Sequence, residues 1–133
     1  MTASGDVTED ALARLVERFY AKVRCDALLG PVFNGAVKDW PEHLDRLQSF
    51  WSSVMLTSGR YYKGRPLPAH LRQEAAMTPE RFHRWLALWK ETTAELFPAE
   101  AAAALQFKAN RIAESLSLGI RVAGGREAMR GAA

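Results

Sequence analysis

Apolar residues recur along this chain at helical spacing in four places, and nowhere does an apolar/polar alternation persist as a strand requires. Thr8 is a good N-cap, followed by Glu9 and Asp10, where the positive end of a helix favours acids. Leu12, Leu15, Val16, Phe19 and Val23 then form one stripe with Tyr20 on its flank, and Leu28-Leu29-Gly30-Pro31 reads as a helix stop. Asp39 opens a second helix, with Glu42 completing a capping box and Pro41 in the first turn. At ~100° per residue, Trp40, Leu44, Leu47, Phe50, Trp51 and Val54 share one face of it, and His43 falls inside that face. Thr78-Pro79-Glu80 begins a third helix, whose stripe is Phe82, Trp85, Leu86, Trp89, Thr93 and Leu96. Pro98 breaks that helix and starts a fourth, carrying Leu105, Ala109, Ile112, Leu116 and Ile120. Gly124-Gly125 is expected to end it and to leave residues 124–133 as a disordered tail.

The pattern predicts an all-α domain over residues 8–123, with two helix pairs separated by an irregular, breaker-rich stretch from Ser58 to His70. A chain of 133 residues is the length of one domain, and its 48% hydrophobic and 25% charged residues exclude disorder. No repeat is visible, and no run approaches the ~18–20 apolar residues of a membrane span. The polar N-terminus lacks the basic and apolar regions of a signal peptide, and the single Cys25 forms no internal disulfide. A cytoplasmic domain is expected. The net charge of +3 would suit a nucleic acid, an anionic surface or a carboxylate-bearing ligand, and equally a basic surface that aids solubility.

Motif-bearing enzyme classes find no support. There is no H-E-x-x-H, no G-x-S-x-G, no P-loop and no dinucleotide-binding glycine turn. The aromatics are unevenly placed instead: of thirteen, nine lie between Phe33 and Trp89, around a loop too broken to pack tightly by itself. That concentration suggests a cavity with a large flat occupant. Tyr20, Trp85 and His43 all lie on inward helix faces, where a phenol, an indole N–H and an imidazole would supply hydrogen bonds in a dry pocket. Each alone is more often core packing. His70, just after Pro66-Leu67-Pro68-Ala69, reads by itself as a surface histidine, and His83 as a boundary residue without a role. Arg60-Tyr61-Tyr62-Lys63-Gly64-Arg65 through Arg72 holds basic residues and no acid. It could bind nucleic acid, clamp the carboxylates of a cofactor, or simply be solvated.

Taken together, these segments resemble a family. Phe19-Tyr20, Leu29-Gly30-Pro31-Val32-Phe33, Trp40-Pro41-Glu42-His43-Leu44 and Phe50-Trp51 look like the group III truncated haemoglobins, a bacterial globin family. Tyr62-Lys63-Gly64-Arg65-Pro66 with His70, and Phe82-His83-Arg84-Trp85-Leu86, continue the likeness in order across residues 10–120. The segment Glu74-Ala75-Ala76 departs from the proline-containing one that some members have there. The resemblance implies a truncated globin, a two-over-two helical sandwich around a noncovalent haem b. It makes His70 the proximal iron ligand, Tyr20, His43 and Trp85 the distal residues, and Phe33 the ring packed on the haem. Leu47, Phe50, Trp51, Leu71 and Phe82 are expected to line the haem, with Arg46, Tyr62 and Arg65 as partners for its propionates.

The expected ligands are dioxygen, nitric oxide, carbon monoxide or peroxide at a five-coordinate iron, with Tyr20 and Trp85 hydrogen-bonding the ligand and His43 gating access or donating a weaker bond. Nitric oxide dioxygenation or a peroxidase-like reaction would need an external reductase, because this chain contains no flavin or reductase domain. A gas-sensing or oxygen-storage globin without turnover is the competing reading. A haem-free helical module binding nucleic acid through the basic stretch is the remote one.

Overall fold

The computed structural model of the chain describes residues 7–57 and 78–132, with side chains over 7–57 and 78–117. Among the described residues there are five helices and no strand: α1 (Glu9–Cys25), α2 (Gly30–Ala36), α3 (Trp40–Leu56), α4 (Pro79–Leu96) and α5 (Ala99–Ala132). The expected caps are in place. Thr8, Asp39 and Thr78 each accept a hydrogen bond from the backbone N–H three residues on, at 3.1, 3.1 and 3.2 Å. These bonds satisfy donors that no helical carbonyl can reach.

Helix α2 departs from the sequence reading. Gly30-Pro31 does not stop the chain but begins a short helix, with Pro31 in its first turn, where a missing N–H costs nothing. The local cause is Asp26, whose Oδ2 accepts from the backbone N–H groups of Leu28 and Leu29 at 3.1 and 3.0 Å and so turns the chain into α2. Gly30 is needed there, since a Cβ would lie 2.8 Å from the Arg24 carbonyl oxygen.

The α1 stripe is buried throughout, and so is Tyr20 on its flank. α1 packs on α3 and α4, and α4 on α5, so two helix pairs meet through α1 and α4 in the two-over-two sandwich expected of the family. Lys22 on α1 is held by Glu91 and Glu95 of α4 at 2.8 and 3.0 Å, and Arg84 Nε donates to Asp26 Oδ1 at 2.7 Å. At the other end of α1, Ser52 Oγ donates to Glu9 Oε2 at 2.5 Å, tying α3 to it. In the core, the Trp51 and Trp89 indoles stack with centroids 4.5 Å apart, and Trp89 Nε1 donates to the Leu105 carbonyl at 3.1 Å.

Two further expectations are corrected. Leu96 is exposed, and Leu88 and Thr92 occupy the inner face of α4 in its place. The α4 hydroxyls tolerate burial because Thr92 and Thr93 donate back to the carbonyls of Leu88 and Trp89 at 2.7 and 2.9 Å. Helix α5 passes Gly124-Gly125 and continues to Ala132, so the tail expected from residue 124 is helical. Two interior glycines cost roughly 1 kcal/mol each, but no proline comes after them and Arg126-Glu127-Ala128-Met129-Arg130 are good helix formers. The side chain of Ile120, and the expected short helix carrying His70, lie outside the described residues. Among those described, no helix is long and apolar enough to cross a membrane.

Candidate functional site

Four helices converge on the Tyr20 ring. Phe33 of α2 approaches it to 5.9 Å between centroids, and Trp40 and His43 of α3 to 6.0 and 5.9 Å. Phe19 stands edge-on to Tyr20 at 4.7 Å and to Trp85 of α4 at 5.6 Å, so consecutive α1 residues join the two sides. The α1 register is responsible: Phe19 and Tyr20 lie within the buried arc, one turn from Leu15, Val16 and Val23. Capping by Asp39, with Pro41 in the first turn, starts α3 in the register that places Trp40 and His43, three apart, on one face.

Burial sets the electrostatics of this ring. The Tyr20 phenol lies far above its ordinary value of 10.0, because burial penalises the phenolate; the neighbouring Trp85 indole N–H draws it only partly back. Tyr20 is therefore neutral and a competent donor throughout the physiological range. His43 is shifted below its ordinary 6.5, first by burial and second by the positive charge of Arg46, which favours neutral imidazole. Its Nε2 is buried and has no hydrogen-bond partner among the described residues. A polar atom left this way costs about 1–3 kcal/mol. A ring of aromatics holding that atom beside a phenol and an indole N–H suits an occupant that offers polar contacts of its own.

The structure brings Tyr20, Phe33, His43 and Trp85 together. Leu47 is buried one turn beyond His43, Phe82 is buried in the first turn of α4, and Phe50 is half-buried edge-on to Trp51 at 5.7 Å. Trp51 is committed to the stack with Trp89. Arg46 is exposed on the rim, in an i,i+4 pair with Glu42 at 3.2 Å. His70, Tyr62, Arg65 and Leu71 lie outside the described residues. Sequence reasoning placed Trp40 in the α3 stripe and in the family motif without a site role, yet its ring stands edge-on to His43 at 5.4 Å. The i,i+3 spacing of the two was the available signal. Arg24, whose guanidinium carbon lies 4.6 Å over the Trp40 ring, carried no signal at all.

No protein-family model matches the chain. It is 34% identical over 111 residues to the group 3 truncated hemoglobin ctb of Campylobacter jejuni, covering 80% of this chain and 86% of that protein. The crystal structure of group III truncated hemoglobin from Campylobacter jejuni aligns with a TM-score of 0.74 at 33% identity, covering 86% of this chain and 91% of that one.

Proposed function

The chain belongs to the group III truncated haemoglobins, and from that premise we propose that it is a haem b protein that reversibly binds dioxygen and other diatomic ligands. Membership in a globin family implies haem and small gaseous ligands. The pocket residues fit that group: the orphaned His43 Nε2 and the buried Tyr20 phenol face a wall of aromatics that includes Phe33 and Trp40. His70 would hold the iron, Phe33 would pack on the porphyrin, and Leu47, Phe50, Trp51, Leu71 and Phe82 would surround it. Arg46, Tyr62 and Arg65 would meet its propionates. When bound, haem would supply an iron able to bind a diatomic molecule.

The chain's own part is to decide which ligand stays. Tyr20 donates from its hydroxyl and Trp85 from its indole N–H, both fixed by burial, so neither needs reorganising when a ligand that carries partial negative charge arrives. A hydrogen bond to a charged group contributes roughly 1.5–3 kcal/mol, which is about 10–100-fold in affinity at 1.4 kcal/mol per factor of ten. His43, neutral and unpartnered at Nε2, adds a weaker donor or moves aside during ligand passage. The same walls exclude water from the reacting centre.

Two fixed donors favour slow release, which suits detoxification of nitric oxide or peroxide better than bulk oxygen delivery. Either reaction takes electrons from a separate reductase. The lone exposed thiol of Cys25 suits a reducing, cytoplasmic compartment. The observation that carries the reading is the convergence of Tyr20, His43 and Trp85 from three helices onto one pocket.

Its first test is the absorption spectrum of protein purified with haem available, ferric and then reduced under argon, oxygen and carbon monoxide. A Soret band that shifts with each gas is expected. A colourless protein that takes up no added haem would overturn the proposal and reopen the nucleic-acid reading. Aerobic nitric oxide consumption with a reductant then separates turnover from a gas-sensing or storage role, since a pure binder consumes one equivalent.

A further inference from the structure

Of the residues ringing Tyr20, Phe33 is buried while Trp40 and His43 are only half-buried, so solvent lies closest to the pocket at those two rings. Trp40 stands edge-on to His43 at 5.4 Å, and the planar guanidinium of Arg24 covers the Trp40 ring at 4.6 Å. The backbones on both sides are fixed. The Arg24 carbonyl accepts from Asn34 Nδ2 at 3.1 Å and is closely approached by Gly30, while Asp39 caps the turn that contains Trp40 and Pro41. What can move here are the two side-chain rings. His43 Nε2 makes no hydrogen bond among the described residues, so ring packing against Trp40 and Tyr20 is what places the imidazole.

We propose that Arg24 and Trp40 form the outer latch on ligand passage to this pocket: the guanidinium pins the indole, the indole backs the His43 ring, and a diatomic ligand passes when the indole swings free. Arg24 and Trp40 are positioning residues and touch neither ligand nor cofactor in this role. The inference rests on the proposed function for the identity of what passes. A cation–π pair at a half-exposed site shifts an equilibrium by a factor of roughly two to five. A latch changes a barrier and not the states on either side of it, so it must alter arrival and departure alike.

The test uses the full haem-loaded chain with carbon monoxide as the probe, comparing wild type, Arg24→Met and Arg24→Lys. Association is followed after flash photolysis and dissociation by replacement with nitric oxide. Arg24→Met is expected to raise both rates by about two- to fivefold with their ratio unchanged, and Arg24→Lys to fall between it and wild type. Unchanged rates, or a change in one rate alone, would overturn the latch. Fluorine NMR of 5-fluorotryptophan-labelled protein supplies a readout independent of ligand binding, with the Trp40 signal identified by its loss in Trp40→Phe. Arg24→Met should shift or broaden that signal and leave those of Trp51, Trp85 and Trp89 in place; an unmoved Trp40 signal counts against the pinning. A wild-type chain that takes up no haem would overturn the proposed function and the latch with it. A haem-loaded chain indifferent to Arg24→Met overturns the latch alone.

Discussion

The imidazole of His43 stands edge-on to the phenol of Tyr20, with ring centroids 5.9 Å apart and planes at 87°. This contact joins α1 to α3 at the pocket and sets a neutral donor beside a neutral imidazole that has an unpartnered nitrogen. The proposed ligand chemistry is concentrated at this junction, and it can be probed one group at a time.

Replacing Tyr20 by Phe keeps the ring packing and removes only the hydroxyl. Dioxygen release measured by stopped flow should accelerate about tenfold or more. An unchanged release rate would remove Tyr20 from the ligand's contacts. Because the Trp85 indole N–H acts on the Tyr20 hydroxyl, Trp85→Phe should act non-additively with Tyr20→Phe, the double variant falling short of the product of the two effects.

The titration of His43 gives a pH signature. Its folded-state value is depressed below the ordinary 6.5, so the folded chain binds fewer protons than the unfolded chain between those two values. Stability is therefore full above pH ~6.5 and declines as pH falls from there to the folded-state value. His43→Leu should flatten that slope in denaturant titrations between pH 7 and 5. Parallel pH profiles for the two proteins would show that the imidazole is not desolvated as described.

Asp26 works in the same direction at lower pH. Burial raises its pKa, but Arg84 and the backbone N–H groups of Leu29 and Leu28 outweigh burial and hold the carboxyl below its ordinary 3.8. Its stabilisation is present above that value and is lost as pH falls through the folded-state one. Asp26→Ala should cost about 1–2 kcal/mol at neutral pH, mostly from the lost turn into α2, since Arg84 is half-exposed and its pair contributes little. The difference from wild type should shrink in acid. A difference that persists at pH 2 would assign the loss to packing instead.

His70→Ala tests the proximal ligand, which the resemblance places at His70. The variant should bind haem poorly or with altered ligation, read from the reduced spectrum, and free imidazole should restore a five-coordinate form. A normal ferrous spectrum without imidazole would rule out His70 as the ligand.

The helix starts were legible because caps are local. Thr8, Asp39 and Thr78 each need only their own next three residues to satisfy an orphan N–H. Stripes such as Leu12 to Val23 were legible because burial keeps to a fixed period. Stop signals were read less well. Gly30-Pro31 and Gly124-Gly125 are compatible with either outcome, and the residues around them, Asp26 before the first pair and the helix formers after the second, decide between ending a helix and starting or continuing one.

A period names the face that is buried and leaves open the face it meets. Tyr20, His43 and Trp85 were each predicted to point inward from the sequence alone, and only the packing of α1 on α3 and α4 turned them toward one another. That packing also withdrew Trp51 into the stack with Trp89 and left Leu96 at the surface. It set the Arg24 guanidinium over Trp40, sixteen positions further along the chain, as well. Helix geometry and capping act within a few residues of sequence. The pocket depends on side-chain shapes from separate helices filling one space, and that is decided only when the helices dock.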